Sequence, residues 1–142
     1  MNCSASIIED YFASDPGIQY LSLNMVDGRQ DDISWFVCEV IQFVEKGRLE
    51  GLHTLIHCEK GISRSCSFAI AYVMWKRGCR MKEAFDHVKS CRSVCNPNSA
   101  FTCQLIELDE IFSREGRTKS LLFRCAVHAP HDPFRPVLKL CR

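Results

Sequence analysis

The 142-residue sequence has no long apolar run, no large excess of charge of either sign, and no repeated or low-complexity segment. No run approaches the roughly 18 uncharged apolar residues that a membrane span requires. The formal net charge of +1 predicts no general attraction to nucleic acid or to an anionic membrane. A site for an anion must therefore be local, within the one domain that this length predicts.

The N-terminus also lacks the basic and then apolar segment of a secretory signal, because residues 1–4 read MNCS. Ten cysteines would suggest a disulfide framework in a secreted chain. Here Cys38, Cys66 and Cys103 lie within apolar periodic runs, where a free thiol behaves as a small hydrophobic group. We therefore expect a reducing compartment, cytoplasmic and/or nuclear, and mostly free thiols.

Apolar patterning predicts two strands in the first part of the chain, over 18–24 and 52–57, and another over 120–127. Apolar residues at helical spacing predict four helices, from Ile33 to near Gly47, from Ser65 to Lys76 with an end at Gly78, from Met81 to Val88, and from Phe101 to Phe112. Residues 128–136 are predicted to be extended. Trp35 and Trp75 are expected to pack in the core. Strands that alternate with helices predict an α/β fold with a mainly parallel sheet flanked by helices.

The segment HCEKGISRS, residues 57–65, lies between a predicted buried strand and a predicted buried helix. A loop at this place can turn its backbone N–H groups inward at the helix N-terminus, which makes a cradle for an anion. Gly61 permits the positive φ that such a turn requires. Arg64 can bind two phosphate oxygens with its planar guanidinium group. A purely structural cation is unfavourable at a helix N-terminus, so a functional role explains Arg64 better.

Cys58 at the base of this cradle would experience the helix dipole, the inward N–H groups and Arg64, all of which favour the thiolate. A thiolate beneath a bound phosphoryl group is an in-line nucleophile, and its product would be a phosphocysteine. Ser65, or as a second candidate Ser63, can donate a hydrogen bond to the sulfur. His57 can orient the loop by bonding to backbone carbonyls. An ordinary core thiol is the simpler interpretation of Cys58, but the flanking loop residues argue against it.

The leaving group of a phosphate ester needs a proton, and a mobile polar loop is a suitable place for its donor. Asp27 lies in such a loop, between the first predicted strand and the first predicted helix. Asp31 and Asp32 are rivals, but they look more like helix N-terminal residues before Ile33, where they would complement the helix dipole.

These motifs resemble a known family. Cys58 followed by five residues and Arg64-Ser65 resembles the signature of the protein tyrosine phosphatase superfamily. The preceding His57, the helix segment over 69–74 and the segment NPNSAFTCQL over 96–105 are similar to those of dual-specificity protein phosphatases, especially the mitogen-activated protein kinase phosphatase branch. Asp27 stands before an Asp-Ile pair at the distance usual in that family. The resemblance covers residues 1 to about 112.

The resemblance implies a phosphatase-type fold and hydrolysis of phosphotyrosine and phosphoserine or phosphothreonine in proteins, on a substrate of the MAP kinase type. It implies no cofactor or metal, and the net charge predicts neither nucleic acid nor membrane as a partner. The implied catalytic residues are Cys58, Arg64, Asp27 and Ser65. The implied phosphate-binding loop consists of Glu59, Lys60, Gly61, Ile62, Ser63 and Arg64. The implied supporting residues are His57 and Asn98.

Two departures from the family pattern stand out. Lys60 replaces an alanine that is frequent in the family, which adds a positive charge near the mouth of the site. The chain also begins after the position of the family's N-terminal strand and helix. We therefore expect an N-terminally incomplete catalytic domain over 1–113 and a C-terminal extension over 114–142.

Two other functions remain open at this point. A phosphatase of non-protein substrates, such as phosphoinositides or RNA 5′-phosphates, would be favoured by more basic loop residues than Lys60 alone. A non-catalytic phosphoprotein-binding module would not need Cys58, Arg64 and Asp27 together.

Two minor sites also remain open. Cys3 is either a small buried residue or, as in some relatives, a reversible disulfide partner of Cys58. His87, Cys91 and Cys95 could line one helix face and bind zinc, although no clear fourth ligand follows.

Overall fold

The computed structural model describes residues 1–114, and within them it contains four helices. These are α1 (Ser34–Leu49), α2 (Arg64–Arg77), α3 (Met81–Cys91) and α4 (Ser99–Arg114). All four predicted helices are confirmed, and Gly78 ends α2 in the left-handed conformation with φ 62°. Three predictions lie wholly or almost wholly outside the described residues: the strand over 120–127, the extended segment over 128–136 and the C-terminal extension over 114–142.

Helix α2 is central, because it packs against α1, α3 and α4. Its buried residues lie on several sides, as expected for a sequence that is apolar nearly all round: Phe68, Ile70, Ala71 and Met74. Glu45 on α1 connects this helix to α2 by accepting hydrogen bonds from Tyr72 and from Lys76, each at 2.7 Å. The N-terminus of α2, which the site requires, is therefore supported by a packed core.

Three extended segments lie side by side where the sequence predicts a sheet. The N–H of Asn2 donates to the carbonyl of Leu21 at 2.9 Å, and the N–H of Leu23 donates back to the carbonyl of Asn2 at 2.8 Å. On the other side, the N–H of Cys3 donates to the carbonyl of His57 at 2.8 Å. Both pairings are parallel. Residues 1–5 thus join the segment before the Asp27 loop to the segment that ends at Cys58.

The strands predicted over 18–24 and 52–57 are not formed as continuous strands within the described residues. Each pairs with Asn2 through an isolated bridge. The shared partner is short, because the chain turns where the N–H groups of Ile7 and Ile8 both donate to the carbonyl of Ser4. The predicted alternation nevertheless holds over 21–25, since the odd-numbered residues are buried and the even-numbered residues are exposed.

The expected core position of Trp35 is wrong, because this residue is 82% exposed. Trp35 precedes the buried Val37 by two residues, which places it on the opposite side of α1 from the buried stripe. Trp75 is partly buried against the core, as expected.

Seven cysteines in the described part of the chain are free thiols: Cys3, Cys58, Cys66, Cys79, Cys91, Cys95 and Cys103. Cys38 differs from the expectation because it is disulfide-bonded, and Cys103 differs because it is exposed. Residues 1–114 hold no group of three His, Cys, Asp or Glu side chains that could bind a metal. His87, Cys91 and Cys95 are not gathered into such a group, since Cys91 is exposed and Cys95 is buried. None of the described helices has the length and hydropathy needed to cross a membrane.

Candidate active site

The loop from Cys58 to Ser63 connects the bridge residue His57 to the first turn of α2, and its turn depends on Gly61. The φ of Gly61 is 64°, the positive value expected from the sequence. A Cβ on this residue would also lie 2.5 Å from Nη2 of Arg92. Nε of Arg92 donates to the carbonyl of Gly61 at 2.7 Å, so the connection between α3 and α4 fixes the outside of the loop. Glycine is therefore favoured here by backbone conformation, and any other residue would also require the end of the Arg92 side chain to shift.

The sulfur of Cys58 is almost fully buried and lies 3.2 Å from the hydroxyl oxygen of Ser65. Burial raises the pKa of the Cys58 thiol. Hydrogen bonds from the Ser65 hydroxyl and from the backbone N–H groups of Ser65 and Gly61, together with the charge of Arg64, lower this pKa and outweigh the burial. The net direction is downward, so the geometry favours a thiolate at the N-terminus of α2.

The guanidinium group of Arg64 is buried beside this sulfur, since its side chain is 3% exposed. Its Nη1 donates to the carbonyl of Met25 at 3.0 Å, and its Nη2 donates to Oε2 of Glu59 at 3.1 Å. Its Nε lies 3.8 Å from Oδ2 of Asp27 and has no hydrogen-bond partner. The orientation of Arg64 is therefore fixed at Nη1, while the edge formed by Nε and Nη2 is only partly satisfied.

The carboxylate of Asp27 is bound through one oxygen. Its Oδ1 accepts hydrogen bonds from Nδ2 of Asn98 at 2.6 Å and from the hydroxyl of Ser63 at 2.7 Å. The other oxygen, Oδ2, faces Nε of Arg64. The Ser63 hydroxyl donates its hydrogen bond to Asp27. It therefore does not donate to the Cys58 sulfur, which is its alternative predicted role. Of the two carboxylate oxygens, Oδ2 is therefore the one directed toward Arg64.

Asn98 is the residue that connects the Asp27 loop to α4. Its Nδ2 binds Asp27, while its Oδ1 accepts the N–H of Phe101 at 2.9 Å in the first turn of that helix. Its backbone N–H donates to the hydroxyl oxygen of Ser63 at 3.1 Å. Asn98 lies directly before Ser99, the first residue of α4, and this position identifies it as a capping residue. The hydrogen bond from its Nδ2 to Asp27 has no such signal in the sequence.

The rival carboxylates have local roles. Oδ1 of Asp32 accepts the N–H of Ser34 at 2.8 Å at the start of α1, as expected for a helix N-terminal residue. Asp31 accepts the N–H of Val26 and so closes the loop on itself. Gln104 of α4 adds a second connection, since its side chain donates to the carbonyl of Asp31 and accepts the N–H of Ile33, each at 3.0 Å. The carboxylate next to Arg64 is that of Asp27.

Three further residues near the loop have different environments. The side chain of His57 makes no hydrogen bond within residues 1–114, so the expected bonds to loop carbonyls are not formed; burial, and then the charge of the Met1 amino group, lower its pKa. Lys60 is exposed. Cys3 is fully buried, and burial, followed by the charge of Cys58, raises its pKa to about 12. Cys3 is therefore a neutral thiol close to the nucleophile candidate.

Some contacts of the site have no sequence signal. The Met25 carbonyl that binds Arg64 is a backbone group, which any residue could supply. Arg92 contacts Gly61, which is 31 residues away in the sequence. Gln104 contacts Ile33, which is 71 residues away. Only their location in the folded chain identifies them as parts of the site.

Removal of the Ser65 hydroxyl is expected to raise the pKa of Cys58. In Ser65→Ala the thiolate loses a hydrogen bond that favours it, so the pH at which iodoacetamide alkylates Cys58 at half its maximal rate moves upward. The measurement is peptide mapping of Cys58 alkylation over a pH series. The control is Ser90→Ala, which removes a hydroxyl from an exposed position on α3. An unchanged alkylation profile in Ser65→Ala would contradict the assigned role of this hydroxyl.

Together these groups are suited to transfer of a phosphoryl group. The sulfur of Cys58 can attack phosphorus from the base of the loop, while the Nε and Nη2 edge of Arg64 and the loop amides stabilise the charge on the equatorial oxygens. Asp27 lies beside Arg64, where it can donate a proton to the departing oxygen.

Comparisons with known proteins identify the family of this chain. Residues 1–111 match the family described as dual specificity phosphatase, catalytic domain. The chain is 34% identical over 143 residues to the protein-tyrosine-phosphatase MKP1 of Arabidopsis thaliana, covering 99% of this chain and 18% of that protein. It is 34% identical over 119 residues to the human dual specificity protein phosphatase 4, covering 82% of this chain and 28% of that protein. The chain thus spans less than a third of the length of these relatives.

Solved structures show the same fold. The human tyrosine phosphatase-like serine/threonine/tyrosine-interacting protein superposes with a TM-score of 0.72 at 32% identity, covering 79% of this chain and 76% of that chain. The structure of DUSP15 superposes with a TM-score of 0.64 at 29% identity, covering 80% of this chain and 69% of that one. The α/β fold class is therefore confirmed at the level of the overall fold, although the described residues form bridges in place of continuous strands. From the matched residues 1–111 and these relatives, the chain belongs to the family of dual specificity phosphatase catalytic domains.

Proposed function

We propose that this chain is a cysteine-dependent protein phosphatase that hydrolyses phosphotyrosine and phosphoserine or phosphothreonine through a phosphocysteine intermediate. The observation that carries the proposal is the convergence of three groups at the start of α2. The Cys58 sulfur has a lowered pKa, Arg64 is buried beside it with an incompletely satisfied edge, and Asp27 lies 3.8 Å from that edge. A thiol with a purely structural role would require neither Arg64 nor Asp27.

The proposed reaction has two steps. In the first, the thiolate of Cys58 forms a bond to phosphorus, the ester oxygen–phosphorus bond breaks, and the leaving oxygen takes the proton of Asp27. In the second, a water molecule gives a proton to the Asp27 carboxylate and attacks phosphorus, and the sulfur–phosphorus bond breaks to regenerate the thiolate. Ser65 stabilises the departing sulfur through the hydrogen bond at 3.2 Å. Arg64 binds the phosphoryl oxygens in both steps.

The substrate class of the proposal is a phosphorylated protein of the MAP kinase type. The likeness to the Arabidopsis protein called MKP1 over 99% of this chain supports this class. We further propose that the catalytic unit spans 1–113, that 114–142 is an extension to it, and that the protein acts in the cytoplasm and/or the nucleus.

Replacement of Asp27 by asparagine tests the proposed acid. We expect Asp27→Asn to lower kcat/KM for phenyl phosphate by about a hundredfold or more, because kcat/KM reports the first step, in which the poor leaving group then departs without a proton. The loss should be much smaller for para-nitrophenyl phosphate, whose leaving group needs little protonation. The alkaline limb of the kcat/KM profile should also disappear, while the acidic limb, which reflects the Cys58 thiol, remains. Steady-state kinetics on both esters over a pH series provide these values.

Asp32→Asn is the matched control, since Asp32 binds the backbone of α1 and not Arg64. Equal losses for the two esters in Asp27→Asn would contradict the role of Asp27 as acid. A folded wild-type chain with no turnover of either ester would contradict the enzyme itself.

A non-catalytic phosphoprotein-binding module is the second candidate, favoured by the TM-score of 0.72 to a phosphatase-like interacting protein. It predicts that the wild-type chain binds a phosphopeptide and leaves it intact. Incubation with a peptide carrying phosphothreonine and phosphotyrosine, followed by mass spectrometry, separates the two candidates. Preferential release of phosphate from phosphoinositide or RNA 5′-phosphate in the same assay would instead favour a non-protein substrate.

A further inference from the structure

Glu59 is the loop residue whose side chain occupies part of the edge of Arg64 that a substrate would need. Its Oε2 accepts a hydrogen bond from Nη2 of Arg64 at 3.1 Å. A phosphoryl group that binds two guanidinium nitrogens side by side would use this same Nη2 together with Nε. The other terminal nitrogen, Nη1, already donates one of its two N–H groups to the carbonyl of Met25.

The remaining nitrogen of this edge has no hydrogen-bond partner. Nε of Arg64 is buried, and the nearest carboxylate oxygen, Oδ2 of Asp27, lies 3.8 Å away, which exceeds hydrogen-bond distance. A buried donor without a partner is unfavourable, so the edge is suited to an additional acceptor. Glu59 satisfies one nitrogen of this edge and leaves the other unsatisfied.

The two carboxylates near Arg64 differ in how easily they can move. Asp27 is bound through Oδ1 to Ser63 and Asn98. The side chain of Glu59 is 40% exposed, and in the described residues its hydrogen bond goes to Arg64. Glu59 can therefore rotate into water and be rehydrated, whereas Arg64, at 3% exposure, remains buried and needs a partner.

We propose that Glu59 is an internal competitor for the Nε and Nη2 edge of Arg64, which an incoming phosphoryl group displaces, and that it thereby weakens the binding of phosphate-like anions. The inference rests on the function proposed above. When the substrate binds, one bond to Glu59 is replaced by two bonds to phosphoryl oxygens. When inorganic phosphate leaves, Glu59 returns and prevents the buried guanidinium from remaining unpaired. Glu59 therefore sets the affinity for the phosphoryl group and favours release of the product.

Isothermal titration with inorganic phosphate tests this inference without turnover. We expect Glu59→Gln to bind phosphate about tenfold more tightly than the wild type, because the competing ion pair of a partly exposed carboxylate is removed. Glu59→Ala, which removes the acceptor altogether, should show the same direction. Glu110→Gln removes an equal charge from an exposed site on α4 that pairs with Arg114, and should bind phosphate like the wild type.

The same variants should separate KM from kcat in the hydrolysis of an aryl phosphate. In Glu59→Gln, KM is expected to fall by a similar factor, while kcat stays constant or falls if product release becomes slow. Phosphate affinity that is unchanged in Glu59→Gln and weaker in Glu59→Ala would overturn the proposal, because Glu59 would then only orient Arg64. Equal tightening in Glu59→Gln and Glu110→Gln would also overturn it, since net charge would then be responsible.

Failure of the inference and failure of the proposed function give different results. Absence of aryl phosphate turnover by the wild type would contradict the enzyme, whatever the calorimetry gives. Normal turnover with no gain in phosphate affinity in either Glu59 variant would contradict the role of Glu59 alone.

Discussion

Cys58→Ser is expected to reduce turnover of an aryl phosphate by about ten-thousandfold or more, because the nucleophile of the first step is lost. A serine hydroxyl in the same place is not ionised near neutral pH, so the hydrogen bonds and the helix N-terminus that stabilise the thiolate have no anion to act on. The fold should be unaffected, because the substitution exchanges sulfur for oxygen at a residue that is already 3.2 Å from a hydroxyl group. Circular dichroism on the same sample checks this.

Cys103→Ser is the matched control, since Cys103 is a free and exposed thiol on α4. It should retain the turnover of the wild type. Cys58→Ser should also still bind inorganic phosphate, because Arg64 and the loop amides remain in place. Substantial turnover in Cys58→Ser, with a normal circular dichroism spectrum, would show that another group is the nucleophile and would refute the proposed mechanism.

Arg64→Lys is expected to lower kcat/KM by about a thousandfold, although it preserves the positive charge. A lysine ammonium group cannot donate two parallel hydrogen bonds from one plane to a phosphoryl group. It also cannot bind the Met25 carbonyl and a substrate phosphoryl group at the same time with the present geometry. Both kcat and the affinity for phosphate should therefore fall.

Because Arg64 is buried, loss of activity in this variant must be separated from loss of stability. Thermal unfolding followed by circular dichroism gives the stability, and Arg77→Lys at the opposite end of α2 is the matched control. A folded Arg64→Lys variant with kinetics close to those of the wild type would exclude the proposed role of the planar guanidinium group.

The sequence predicts the helices well, because apolar residues recur at helical spacing in α1, α3 and α4, while α2 is apolar nearly all round and ends at Gly78. It predicts the continuity of the strands poorly. Alternation over 21–25 correctly predicts which residues are buried, but the length of a strand depends on its partner, and the partner turns after Ser4. Trp35 is a second case in which the sequence prediction is wrong. Whether a large apolar residue near the start of a helix is buried or exposed depends on which face of the helix packs against the core.

In the candidate site, local chemistry is predictable and long-range contacts are not. The conformation of Gly61 and the hydrogen bond between Cys58 and Ser65 follow from the spacing within one loop. The contact of Ser63 with Asp27, rather than with sulfur, depends on a loop that is 36 residues away in the chain. The pairing of Glu59 with Arg64 lies inside the motif, but a side chain that projects from the loop has several possible directions, so the sequence does not choose among them.

The hydrogen bonds from Ser63 and Asn98 to Asp27 affect the conformational entropy that is lost when substrate binds. A catalytic group on a free loop loses conformational entropy each time substrate binds, and this loss reduces the gain from proton transfer. Here the loop is bound to α4 through Asn98 and Gln104 before any substrate arrives. The ordering of Asp27, the proposed acid, therefore belongs to the folding of the chain, so the binding of each substrate molecule need not include it.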